Sequence, residues 1–184
     1  MATPVRPSAP PSIAVLDALE PAAFGDAVAP LFEGVPRFIG RLAEARPFGS
    51  IERLFERARE IAAAMPEDEQ VELIDAHPPL GAPPGSVSAL SFREQGYEVD
   101  GADAAAEAER SRIGAELGAL NRAYEAEFGF RYCVFVAGRP RADLIPGLQA
   151  ALERPRESEI RRALTSVIDI AIDRHRTLMR EAAS

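Results

Sequence analysis

Between Ile113 and Phe128 the residues Ile113, Leu117, Leu120, Tyr124 and Phe128 recur at i, i+4, i+7, i+11 and i+15, the spacing of one helix face. Gly129 ends the pattern. The same period returns in Phe24, Val28 and Leu31/Phe32 over Pro21 to Phe32, and in Phe38 and Leu42 over Arg37 to Ala45. It returns again in Ile51, Leu54/Phe55, Ala58, Ile61 and Met65 behind Ser50, which can cap that helix. After Arg154-Pro155 a last stripe runs through Ile160, Ala163/Leu164, Val167/Ile168, Ala171, His175 and Leu178/Met179. Gly34, Pro36, Pro47 and Gly49 punctuate the series. Stripes of helical period separated by Pro and Gly can bury their apolar faces only helix against helix. The chain is therefore predicted to be all-α, a single-domain compact bundle of about seven to nine helices. With no Trp and 7% aromatic residues, its core must be mainly aliphatic and alanine. Residues 1–12, rich in Pro, Ser and Ala, are expected to be a disordered tail, with the helical domain over 13–184. No internal repeat or second domain is visible.

The charge balance narrows the functional classes. A net charge of −8 argues against nucleic acid or an anionic membrane as the main partner. Every formal positive charge is an arginine, and without lysine no Schiff-base mechanism is available. The single cysteine, Cys133, excludes an intrachain disulfide and any multi-thiolate metal site, and histidine and carboxylate are too sparse for a convincing metal centre. No apolar run is long enough to span a bilayer, and the N-terminus carries no signal-peptide core, so the expected location is cytoplasmic.

Against that background Ala76-His77-Pro78-Pro79-Leu80-Gly81 stands out. Pro66 fits a first helical position, and Glu67, Asp68 and Glu69 crowd a first turn where the macrodipole favours acid. Val71 and Ile74 mark one face, and His77 is the next position on it. Pro78 disfavours the α region for His77, so the helix should stop there with the imidazole aimed inward. A histidine so placed is either a core or capping group, or an acid/base near neutral pH. His175, in the last apolar stripe with no carboxylate beside it, reads as structural.

Two further stretches carry chemistry. In Ser91-Phe92-Arg93-Glu94-Gln95 a hydroxyl, a carboxylate and an amide share one helix face; Ser91-x-x-Glu94 is equally a capping box. Phe130 to Val136 (FRYCVFV) is the one stretch of strong strand propensity. A lone strand in a helical protein must satisfy its backbone elsewhere, either on an unrecognised loop or on a polar ligand.

Leu31-Phe32-Glu33 with Pro36, Arg46-Pro47-Phe48, Ala76-His77-Pro78, Ser91-x-x-Glu94-Gln95, Leu120-Asn121-x-x-Tyr124 and Phe128-Gly129-Phe130 occur in that order. Together they resemble the 2-oxo-4-hydroxy-4-carboxy-5-ureidoimidazoline (OHCU) decarboxylase family over roughly residues 13–180. The resemblance implies an all-helical, usually dimeric enzyme of urate breakdown that forms (S)-allantoin without metal or organic cofactor. It makes His77 the general acid/base and has Glu94 orient it or bind substrate N–H groups. Pro78, Ser91, Phe92, Arg93 and Gln95 would line the substrate, and the backbone of Cys133, Val134, Phe135, Val136 and Ala137 would supply donors and acceptors. The chain departs from the family pattern at Pro79, Gly96, Arg131 and Ala137. Because these flank the implied pocket, two other readings stand beside the first: decarboxylation of a related β-imino or β-keto acid, and a non-catalytic ligand-binding paralogue.

Overall fold

The structure, a computed structural model, describes residues 10–80 and 104–183, with side chains from 108 in the second stretch. The described residues form eight α-helices, one 3-10 turn and no strand, so the protein is all-α as its periodicity predicts. The helices are α1 (Ile13–Ala18), α2 (Pro21–Val28), α3 (Pro36–Glu44), α4 (Ile51–Ala64), α5 (Glu67–Asp75), α6 (Ala104–Phe128), α7 (Ile145–Ala151) and α8 (Arg156–Ala182). They fall into two compact units. The first comprises the chain up to Ala76 together with Val167 onward, and the second runs from His77 to Ser166. Most of the expected tail, residues 1–9, lies outside the described residues.

In the first unit α3 packs against α2, α4 and α5. Phe24, Phe32, Phe38, Leu42 and Leu54 are completely buried there, each contributing about 1.5–3 kcal/mol of apolar transfer energy. The Phe32 and Phe38 rings meet edge to face at 5.0 Å. The short helix α1 was not anticipated, and α2 stops at Val28 rather than reaching Phe32. Leu31 and Phe32 are still buried, but in a turn in which Glu33 and Gly34 adopt left-handed φ values of 52° and 69°. The Glu33 carboxylate accepts from Arg174 of α8 at 2.6 Å, and Arg174 also donates to the Pro30 carbonyl at 3.3 Å. Arg46 donates to the Ala43, Leu16 and Leu19 carbonyls and lies over the Phe24 ring, which ties α1 to the end of α3. His175 meets the Phe55 ring edgewise at 5.9 Å, in keeping with a packing role.

Ser50 caps α4 as predicted, its hydroxyl accepting from the Arg53 N–H at 3.2 Å. Gln70 of α5 donates to the Ala62 and Ala63 carbonyls at 3.0 and 3.1 Å, satisfying acceptors that the end of α4 leaves open. Pro66 is the residue before α5, not its first helical position. The first two turns of α5 pair with α3: Asp68 and Glu72 meet Arg37 at 2.8 and 3.1 Å, and Glu69 meets Arg41 at 2.7 Å. Solvent screens these surface pairs, so they add little to stability.

In the second unit α6 buries Leu117, Asn121, Tyr124 and Phe128. Its stripe thus runs through Asn121, whereas Leu120 is only half-buried. The helix closes on Gly129, whose φ of +75° costs an L side chain strain that glycine escapes; the Gly129 N–H donates to the Glu125 carbonyl at 2.9 Å. Beyond it the rings of Phe128, Phe130 and Tyr132 surround Tyr124 at centroid distances of 4.5, 5.6 and 5.1 Å. The 3-10 turn Arg141–Leu144 leads into α7, with Pro146 in its first turn, and α7 packs on α6.

Candidate active site

The segment from Arg131 to Val136, expected to be extended, lies outside any helix and makes no strand pairing among the described residues. Three of its backbone acceptors are met by arginine side chains. Arg162 of α8 donates to the Cys133 carbonyl at 2.8 Å, and Arg139 reaches back to the Phe135 and Val136 carbonyls at 2.6 and 3.0 Å. Guanidinium groups, with several donors fixed in one plane, replace the neighbouring strand that a ladder would need.

Arg162 is itself held by a buried carboxylate. Glu159 has no exposed surface and accepts from Arg162 Nε at 2.7 Å, from the Tyr124 hydroxyl at 2.9 Å and from Arg154 at 3.3 Å. The Arg162 guanidinium also lies 4.4 Å over the Tyr132 ring. Burial works against the Arg162 charge, but the Glu159 hydrogen bond leads the opposing effects, so the pKa rises above its ordinary value. Burial pushes the Tyr124 phenol up, which keeps it a neutral donor. This network anchors the extended segment to α6 and α8.

His77 is the first residue of this unit and is almost completely buried, 4% exposed. α5 ends at Asp75 with Ala76 as its cap, so the helix stops just short of His77, where Pro78 requires it to. Side chains from two other elements reach the turn that follows. The Asn121 side chain donates to the Leu80 carbonyl at 2.7 Å, and Arg131 donates to the His77 carbonyl at 3.3 Å. The start of the extended segment is therefore adjacent to His77. Of the other residues expected in the site, Pro78, Val134 and Phe135 are half-buried, and Cys133 and Val136 are buried. Ala137 is exposed at a left-handed φ of 53°. Ser91, Phe92, Arg93, Glu94 and Gln95, and with them Gly96, lie outside the described residues.

Sequence reasoning missed the roles of Asn121, Glu159 and Arg162. A signal existed for each: Asn121 interrupts an apolar stripe, and Glu159 precedes Arg162 by three positions at the start of a helix.

The family model described as OHCU decarboxylase matches residues 17–176. The uric acid degradation bifunctional protein PucL of Bacillus subtilis (strain 168) is 33% identical over 146 residues, covering 79% of this chain; the chain spans only 28% of that relative's length. The 2-oxo-4-hydroxy-4-carboxy-5-ureidoimidazoline decarboxylase of Haloferax volcanii is 25% identical over 153 residues, covering 83% of this chain and 87% of that protein. A crystal structure of OHCU decarboxylase in the presence of (S)-allantoin has the same fold, with a TM-score of 0.64, 20% identity, and coverage of 84% of this chain and 98% of that one. The matched span contains the whole His77 turn, the extended segment and the Glu159 network: the chain belongs to the OHCU decarboxylase family.

Proposed function

We propose that this protein decarboxylates 2-oxo-4-hydroxy-4-carboxy-5-ureidoimidazoline to (S)-allantoin, with His77 as general acid/base. Family membership over nearly the whole chain supports the reaction. The observation that carries the assignment of His77 is its burial at a doubly tethered turn, beside the segment expected to bind substrate. The substrate carboxylate sits on a carbon next to a C=N bond. The electron pair of the breaking C–C bond flows into that imine as CO2 leaves, and the imine nitrogen takes up a proton to give the enamine. One proton is then added to a single face of the enamine, and the hydroxyl proton departs to give the carbonyl. The substrate supplies its own electron sink, so the protein's work is orientation and proton transfer.

In this reading Glu94 orients His77, while Ser91, Phe92, Arg93 and Gln95 contact the substrate. Because the carbonyls of Cys133, Phe135 and Val136 are engaged by arginines, the segment's contribution to substrate falls mainly to its N–H groups. The protein works in the cytoplasm as a homodimer. The test generates the unstable substrate in situ with uricase and hydroxyisourate hydrolase, adds this protein, and follows allantoin by circular dichroism. Fast formation of the S enantiomer is expected, and slow racemic decay alone would refute the assignment. His77→Asn is expected to keep the fold and lose about 10²–10⁴-fold in kcat, the range of a general acid/base group. Near-native turnover would remove His77 from the mechanism.

A further inference from the structure

Asn121 is an expensive choice where it stands. It occupies the apolar stripe of α6 between Leu117 and Tyr124, is 6% exposed, and its Oδ1 is buried without a hydrogen-bond partner among the described residues. An orphaned buried acceptor costs about 1–3 kcal/mol, and a leucine at the same position would avoid that cost. What the amide provides in return is one donor, aimed at the Leu80 carbonyl at 2.7 Å. Arg131 donates in the same way to the His77 carbonyl at 3.3 Å. The two donors come from different elements, α6 and the extended segment, and grip the two ends of one four-residue turn, His77-Pro78-Pro79-Leu80.

We propose that Asn121 and Arg131 are positioning residues that fix the His77–Leu80 turn from both ends and thereby set the direction of the His77 imidazole. The two prolines have no N–H to donate within the turn, so donors brought to its carbonyls from outside help to fix its placement. Releasing either end lets the imidazole swing, and an error of about 1 Å in a reacting group can cost 10²-fold in rate. The inference rests on the proposed role of His77 only for its kinetic consequence; the tethering itself is independent of it.

The full chain has only two histidines, which makes the test clean. Imidazole ¹³C–¹H spectra should show one peak for His77 and one for His175, assigned with His77→Asn. Arg131→Met and Asn121→Ser are expected to move or broaden the His77 peak and leave the His175 peak in place. Arg131→Lys, which retains a donor, should restore the wild-type peak; Asn121→Asp, which sets a carboxylate against the Leu80 carbonyl, should displace it further. On the substrate generated in situ, the first two variants should lose about tenfold or more in kcat with KM within about threefold. In a His77→Asn background neither should reduce the residual turnover further. A His77 peak unchanged in both variants overturns the proposal. So does a rise in KM at constant kcat, which would instead mean direct contact with substrate. An inactive wild type would refute the functional reading alone, and the spectra would still decide the tether.

Discussion

Glu159→Gln is the most informative test of how the second unit holds its extended segment. Glutamine matches glutamate in shape, so the change leaves no cavity and removes only the charge. Glu159 is fully buried and the Arg162 side chain is 22% exposed, so the substitution strands a largely desolvated guanidinium. Removing one partner of a buried ion pair typically costs about 3–5 kcal/mol; the partial exposure of Arg162 puts the expectation near 3. The 46% exposed Arg154 adds little, because its attraction to Glu159 is screened. A loss of about 3 kcal/mol is a large part of a typical 5–15 kcal/mol total and would lower Tm by about 6–12 °C for a chain of this size. Urea unfolding followed by far-UV circular dichroism gives the value directly, and an unchanged m would confirm that stability alone moved. Tyr124→Phe, which deletes one hydrogen bond to the carboxylate, should cost about 1.5–3 kcal/mol by itself. In the Glu159→Gln background it should cost measurably less, because its acceptor has lost its charge. A loss below about 1 kcal/mol for Glu159→Gln, with Tyr124→Phe fully additive, would refute the idea that this carboxylate organises Arg162 and, through it, the Cys133 carbonyl.

Three further outcomes are expected. Gly129→Ala should destabilise by about 1–2 kcal/mol, measured by urea unfolding, because a left-handed φ is strained for alanine; beyond its chain neighbours no atom of the described residues lies within 4 Å of the added methyl, so sterics would not explain the loss. Arg174→Met should cost about 3–5 kcal/mol by removing the buried guanidinium that pairs with Glu33, and adding Glu33→Gln should restore part of it. His175 is held below the ordinary histidine value by burial first and by Arg176 second, against the opposing pull of Glu52. The folded chain therefore binds fewer protons than the unfolded chain as pH falls through about 6.5, and stability should drop on acidification through that window. His175→Leu should flatten this dependence in a pH series of thermal melts while leaving turnover intact.

How much was legible in advance depends on the range of the forces involved. The helices could be read because apolar period, caps and breakers are properties of neighbouring residues. Ser50 and Gly129 act where the sequence puts them, and Pro78 ends α5 just before His77. Errors fell where local signals are weak. α1 is six residues long, too short for periodicity to register, and Leu31 and Phe32 are buried from a turn rather than from the helix their spacing suggested. The strand propensity of residues 130–136 led to no strand pairing among the described residues, because a preference does not supply a partner.

The sequence by itself determined the all-α class, the helix framework, the stop at His77 and the exclusion of disulfide and lysine chemistry, because each follows from residue type and spacing along one chain. Only the tertiary structure decided which groups satisfy the extended segment, why Glu159 is buried, and that Asn121 and Arg131 hold the two ends of the His77 turn. Those are contacts between residues 29 to 54 positions apart in the chain. A hydrogen bond over that distance leaves no periodic trace; it exists only once packing has brought the two backbones together.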